Sequence, residues 1–245
     1  MKTALVTGAN KGIGFEVVRQ LAKKGFFVYL GSRDLESGLS AVEKLKADGL
    51  ENIEAVQLDV TDQQSVDIAR KAMGEKIDIL DVLVNNAGIS GGFPQSALDA
   101  TIDQFRMVYE TNVFGVVRVT KAFIDLLKTS LEPRIVNVST AMASLTLSAA
   151  PSDNPYHNKV SVYQSSKSAL NMYTITLADE LRNTSFKVNM VCPGYTKTDF
   201  TGYQGTSTVQ EAGGRIAKYA LIGQEGPTGK FISEEYFTEP NSCPW

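Results

Sequence analysis

Short apolar runs recur along this chain, and between them apolar positions return every three or four residues. The short runs predict strands at Thr3 to Thr7, Phe27 to Gly31, Glu54 to Leu58, Val82 to Asn85, Arg134 to Val138, Lys187 to Cys192 and Lys230 to Ser233. The stretches between them predict helices at Ile13 to Lys24, Leu35 to Ala47, Gln63 to Met73, Ile102 to Leu127, Val162 to Arg182 and Val209 to Leu221. Most strand runs are continuously apolar rather than alternating. That is the mark of a sheet covered on both faces, hence a parallel one built from β-α-β crossovers. The expected fold is α/β: a doubly wound, seven-stranded, mostly parallel sheet with helices on both faces. No repeat, low-complexity linker or charge block divides the chain, so residues 1–245 read as one domain.

Two segments break the rhythm. Leu145 to Val160 contains Pro151 and Pro155 around Ser152, Asp153 and Asn154, which excludes a regular helix or central strand and predicts an inserted loop. The tail from Glu239 to Trp245 holds Pro240 and Pro244 and belongs on the surface. It either trails as an end or folds back so that Trp245 covers an apolar patch.

Composition narrows the function classes. The 245 residues carry a formal net charge of -3, which gives no general attraction to nucleic acid or anionic lipid. No apolar run approaches the ~18 residues of a membrane span, and the first residues lack the apolar core and small-residue cleavage site of a secretory signal. The two cysteines, Cys192 and Cys243, suggest no disulfide framework and read as reduced packing residues. The expectation is a cytoplasmic protein. His157 is the single histidine, has no partner at ligand spacing and predicts no metal site.

The first strand runs into Thr7-Gly8-Ala9-Asn10-Lys11-Gly12-Ile13-Gly14 and straight on into a helix. Glycines there let the backbone approach a pyrophosphate, and a helix N-terminus offers unpaired N–H groups with a positive dipole end. The second strand ends Gly31-Ser32-Arg33-Asp34. An NAD-preferring fold normally places an acid here for the ribose hydroxyls. Arg33, with Lys11 in the glycine loop, instead suits a ribose 2′-phosphate, because guanidinium forms charge-assisted bonds to phosphate oxygens. Asp34, one position on, fits the cap of the following helix. NADPH/NADP+ is the expected cofactor.

These features, together with Asp59-Val60, Asn85-Asn86-Ala87-Gly88, Asn112, Val136-Asn137-Val138-Ser139-Thr140, Tyr163-x-x-x-Lys167 and Pro193-Gly194, resemble the short-chain dehydrogenase/reductase family in its own order. Asn10-Lys11-Gly12-Ile13-Gly14, Cys192-Pro193-Gly194-Tyr195 and Gly226-Pro227-Thr228-Gly229 are similar to its monomeric, NADPH-dependent carbonyl reductases. The resemblance implies a Rossmann domain that reduces ketones or aldehydes to alcohols. It implies that Asp59 and Val60 meet the adenine, and that Asn86, Ala87 and Gly88 pass the adenosine ribose. It further implies that Thr198, in the run Pro193-Gly194-Tyr195-Thr196-Lys197-Thr198, helps hold the nicotinamide carboxamide. Asn112 would hold a water leading to Lys167.

Tyr163 and Lys167, four apart at the start of a helix, share one face. Lys167 would lower the phenol's pKa, and Tyr163 would act as general acid toward the carbonyl oxygen. A serine or threonine hydroxyl at the end of the fifth strand would orient that oxygen. Strand neighbours face opposite ways, so only one of Ser139 and Thr140 faces the substrate; Thr140 takes the role, with Ser139 the fallback. Low-weight wall candidates are Met142, Tyr156, Tyr195 and Phe200. Only Asp199 to Thr208 separates Thr198 from the next helix, which predicts a short lid and an open pocket. The stripe Phe114, Val117, Ala122 and Phe123 reads as core or subunit interface; monomer and homo-oligomer both stay open. The same residues could serve an alcohol or hydroxysteroid dehydrogenase working oxidatively. A non-catalytic NADP sensor would lack Tyr163 or Lys167.

Overall fold

A computed structural model describes residues 1–150, 160–237 and 241–245. Seven strands form one sheet: β1 (Thr3–Val6), β2 (Phe27–Ser32), β3 (Ile53–Gln57), β4 (Val82–Asn85), β5 (Arg134–Val138), β6 (Lys187–Val191) and β7 (Phe231–Ile232). Their order is β3-β2-β1-β4-β5-β6-β7 and every pairing is parallel, so the sheet is wholly rather than mostly parallel. β1, β4 and β5 are buried along their whole length, the physical counterpart of their unbroken apolar runs. The chain reverses its winding direction between β1 and β4. A crevice therefore opens beyond the carboxyl ends of those two strands, where open α/β sheets bind ligands.

Helices α1 (Gly12–Lys23), α2 (Leu35–Ala47) and α8 (Val209–Ala220) pack on one face around Val17, Leu21, Leu45 and Ile216. On the other face, α3 (Gln63–Gly74), α5 (Gly115–Lys128) and α7 (Ser161–Glu180) cover the sheet, with Met73, Phe123, Leu127 and Ala178 in the core. Of the apolar stripe, Phe123 belongs to this core and Ala122 packs against it, whereas Phe114 is exposed. Helix starts follow the expected chemistry. Asp34 caps α2 by accepting from the Ser37 N–H at 2.8 Å.

The single helix expected over Ile102 to Leu127 is three pieces: α4 (Ile102–Tyr109), a π-helical turn at Glu110–Phe114, and α5. Asn112 lies at the centre of that turn and bonds the loop after β4 in both directions. Its Oδ1 accepts from Ile89 N–H at 2.9 Å and its Nδ2 donates to Ile89 O at 3.0 Å. A π-turn takes one more residue than an α-turn, and the extra residue lets Asn112 face this loop while the rod stays continuous. Heptad-like spacing carries no sign of it.

The segment after β5 also departs from expectation. Its first part forms a short helix α6 (Leu145–Ser148), begun by Ser144 Oγ accepting from Leu147 N–H at 3.1 Å. Pro151 to Pro155, Tyr156 and His157 lie outside the described residues. At the tail, the fold-back alternative holds for 241–245. Cys243 N–H donates to Phe231 O at 2.7 Å, Ser242 bridges Ile232 antiparallel, and the Trp245 ring stacks on Phe231 with centroids 5.7 Å apart. The tail thereby shields the free edge of β7.

Phe123 is fully buried between α5 and the sheet. Phe123→Ala should therefore cost about 3–5 kcal/mol of stability, read as a lower urea midpoint; a loss under about 1 kcal/mol would show that this face can collapse around the cavity.

Candidate active site

The loop after β1 and the loop after β4 are stitched together. Thr7 Oγ1 accepts from the N–H groups of Asn86 and Ala87, each at 3.0 Å. Asn86 Nδ2 donates to the carbonyls of Thr7 and Gly8, each at 2.9 Å. Asn86 thus spends its side chain on the shape of the glycine loop. A Cβ on Gly8 would lie 2.8 Å from Ala87 Cα, and one on Gly14 would lie 2.4 Å from Asn86 Nδ2, so both positions exclude any larger residue. At Gly12 the constraint is the backbone, with φ at +60, while a Cβ there would meet Thr198 Cγ2 at an ordinary 3.7 Å. No side chain caps the first turn of α1. Backbone N–H groups of Asn10 to Gly14 at a free helix start suit a pyrophosphate, so the residues fit a dinucleotide.

The two cations of this region differ in their partners. Arg33 is exposed at the end of β2 and makes no ion pair among the described residues. Lys11 instead donates to Asp199 at 2.6 Å, across the glycine loop on the side of Thr198. Lys11 thus has a carboxylate partner in this structure, while the Arg33 guanidinium is left without one among the described residues. Asp59 closes on its own turn, accepting from Thr61 N–H at 2.9 Å and Thr61 Oγ1 at 2.7 Å. Val60 is buried beside it and its carbonyl accepts from Arg118.

Beyond β5, the two hydroxyl candidates face opposite ways. Ser139 is buried and donates to Asn171 Oδ1 on α7 at 2.7 Å. Thr140 is half-buried, extended at φ -150 and ψ 145, and its Oγ1 accepts only a long bond from Met142 N–H at 3.3 Å. Alternation along the strand separates them, and no bulge intervenes.

Helix α7 brings Tyr163 and Lys167 under the same strand end. Its start has no cap of its own. Gln95, buried and remote in sequence, supplies one: its Oε1 accepts from Tyr163 N–H at 3.1 Å and its carbonyl from Ser161 N–H at 2.9 Å. Lys167 is 4% exposed and donates to Val138 O at 2.8 Å. Burial pushes its ammonium down to about 8. A Cβ on Gly88 would stand 3.5 Å from Lys167 Nζ and 3.3 Å from Asn112 Oδ1, so the loop after β4, the π-turn and α7 meet there. Asn112 also donates to Ser166 Oγ at 3.0 Å. The Tyr163 phenol is pushed above its ordinary value by burial, with the neighbouring Cys192 thiol acting in the same direction. Desolvation is the larger of the two causes.

The loop after β6 closes the group. Phe200 sits in a 3₁₀ turn at Asp199–Thr201 with its ring 5.5 Å from that of Tyr163. Tyr203 donates to Asp199 from the same loop. Tyr195 and Phe200 are exposed and Met142 is half-buried; Tyr156 lies outside the described residues. Cys192 is buried with its Sγ accepting from the Ala141 and Gly194 N–H groups, a packing role. Among the described residues no group of His, Cys, Asp and Glu could hold a metal, and no helix is long and apolar enough to cross a membrane. Gln95, Ser166 and Asn171 escaped the sequence reading. Each acts through a partner remote in the chain.

Known proteins share both the sequence and this geometry. The family model described as short chain dehydrogenase matches residues 2–208. A (+)-neomenthol dehydrogenase of Capsicum annuum is 32% identical, the match covering 96% of each chain. The solved structure of salutaridine reductase from Papaver somniferum superposes with a TM-score of 0.83 at 31% identity, covering 94% of this chain and 99% of that one. NADPH-bound carbonyl reductase from chicken fatty liver superposes with a TM-score of 0.84 at 27% identity, covering 100% of this chain and 99% of that one.

Lys167 gives the site a pH signature. Its folded pKa lies below that of the unfolded chain, so above pH ~8 the unfolded state binds more protons and stability rises with pH. Relative to Lys167→Met, the wild type should gain on the order of 2–3 kcal/mol as pH rises from 7 toward 10. Urea unfolding at pH 7 and 9.5 reads the difference; a pH-independent gap would mean the ammonium is not desolvated.

Proposed function

The chain belongs to the short chain dehydrogenase family, and on that premise we propose that it is an NADPH-dependent carbonyl reductase whose reacting group is Tyr163, assisted by Thr140 and Lys167. The observation that carries this reading is Lys167. A lysine 4% exposed, without a carboxylate partner and held at 2.8 Å to a strand-end carbonyl one helical turn from Tyr163, is a costly group to bury for packing alone.

NADPH, when bound, supplies the hydride for the carbonyl carbon. Asn10 to Gly14 would hold its pyrophosphate, Arg33 its 2′-phosphate, Asp59 and Val60 its adenine, Asn86 to Gly88 its adenosine ribose, and Pro193, Gly194, Thr196 and Thr198 its carboxamide end. Tyr163 donates its phenolic proton to the substrate oxygen. A phenol raised by burial stays protonated at neutral pH, the form that the acid role in reduction requires. Thr140 donates a hydrogen bond to the same oxygen, since Ser139 is committed to Asn171. Lys167 places a cation beside the forming phenolate, and Asn112 anchors the π-turn against the loop that approaches it. The exposed aromatic rings of Tyr195 and Phe200 favour an apolar ketone, in keeping with the alcohols and ketones named in the plant relatives.

Tyr163→Phe should remove more than about 99% of turnover with NADPH affinity intact, and Thr140→Val should cost about 10²–10³ while Ser139→Ala stays mild. Ketone reduction followed by NADPH absorbance decides this; an active Thr140→Val beside a crippled Ser139→Ala would exchange their roles. Arg33→Ala should weaken NADPH by about ten- to a hundredfold and barely change NADH. Equal losses for both cofactors in a fluorescence titration would remove Arg33 from the 2′-phosphate.

A further inference from the structure

Glu235, just beyond β7, lies outside every motif discussed above, and yet it is the most heavily bonded carboxylate near the site. It is half-buried. Its Oε2 accepts from Tyr195 N–H at 2.7 Å, and its Oε1 accepts from Thr206 Oγ1 at 2.9 Å and Ser207 Oγ at 2.6 Å. Tyr236 adds a side-chain hydrogen bond. Arg215, projecting from α8, donates from Nη1 to Pro193 O at 2.6 Å and to Ser207 Oγ at 2.9 Å. Ser207 Oγ thus joins the two charged groups, donating a hydrogen bond to Glu235 and accepting one from Arg215. Both close on Gly194, whose φ is +86; a Cβ there would lie 2.4 Å from Arg215 Nη1 and 2.4 Å from Glu235 Oε2.

The clamped segment is the loop from Tyr195 to Thr208. Its two limbs are paired where Thr196 bridges Ser207 and where Lys197 N–H donates to Ser207 O at 3.0 Å. Between the limbs lie Thr198, beside Gly12, and Phe200, on the Tyr163 ring. At the outer tip Asp199 accepts from the exposed Lys11 and from Tyr203, and an exposed ion pair is worth little. The strong fixation is at the base, where a carboxylate with four donors is roughly twice as firmly bonded per contact as a neutral acceptor would be.

We propose that Glu235 is a positioning residue: together with Arg215 it sets the Pro193–Tyr195 turn, and with it the loop bearing Thr196 and Thr198, for the nicotinamide half of the cofactor. The proposal rests on the reading of this site as NADPH-binding. It separates two halves of one ligand. The adenosine half answers to Arg33 and the glycine loop, which Glu235 does not touch.

Calorimetric titration of NADPH and of adenosine 2′,5′-bisphosphate, which lacks the nicotinamide half, tests this. Glu235→Gln keeps the shape but turns one acceptor oxygen into a donor. It should weaken NADPH about tenfold while moving the bisphosphate by less than about twofold. Glu235→Asp, retaining the charge, should recover part of the NADPH affinity, and Ser207→Ala should weaken NADPH by about threefold with the same selectivity. Unchanged NADPH binding, or equal weakening of both ligands, would overturn the proposal. Should Glu235→Gln fail to give a cooperative thermal melt, Ser207→Ala carries the test by the same criterion. A wild-type protein that binds neither ligand would instead defeat the NADPH reading, and the clamp's purpose with it.

Discussion

Because every strand in the sheet points the same way, every loop leaving a carboxyl end emerges on one side. The reversal between β1 and β4 then splays those loops into a crevice. All the residues of the site hang on that constraint. The glycine loop follows β1, Arg33 follows β2, Gly88 follows β4, Thr140 follows β5 and Gly194 follows β6. A sheet of mixed direction would scatter the same side chains over two ends of the molecule.

Hydrogen bonds between loops convert this shared edge into a defined cleft. Thr7 and Asn86 tie the first loop to the fourth, Asn112 ties the fourth to the π-turn, and Ser139 ties the fifth strand to α7 through Asn171. These are buried or half-buried polar contacts, where an unpaired partner is costly. Lys167 sits at their meeting point. Its desolvation opposes stability near neutral pH, and the Val138 carbonyl offsets only part of that cost. A group kept at such a cost is most simply explained by chemistry.

The loop after β6 shows the opposite economy. Its tip is secured by exposed contacts and its base by Glu235 and Arg215. That contrast suits a segment that must admit a dinucleotide yet return to one geometry. The folded-back tail contributes on the far side, where Trp245 O accepts from Thr146 N–H at 2.7 Å and steadies the residues that lead out of the β5 end.

Strand runs, helix spans and the Asp34 cap were legible because each is local: burial on two faces writes a continuous apolar run, and a capping carboxylate stands three residues from the N–H it accepts. The glycine loop and the Tyr163–Lys167 pair were legible too, since a turn and a shared helix face need only short spacing. The π-turn at Glu110–Phe114 was not, because its cause is Ile89, twenty-three residues away. Nor does spacing reveal that Lys11 pairs with Asp199, or that burial pushes up the Tyr163 phenol. Gln95 on α7 and Glu235 on Tyr195 belong to the same class. Periodicity and turn chemistry act over a few residues, so they survive in one dimension. The partner of a polar side chain and the water excluded around it exist only after distant segments have packed, and tertiary structure alone decided them.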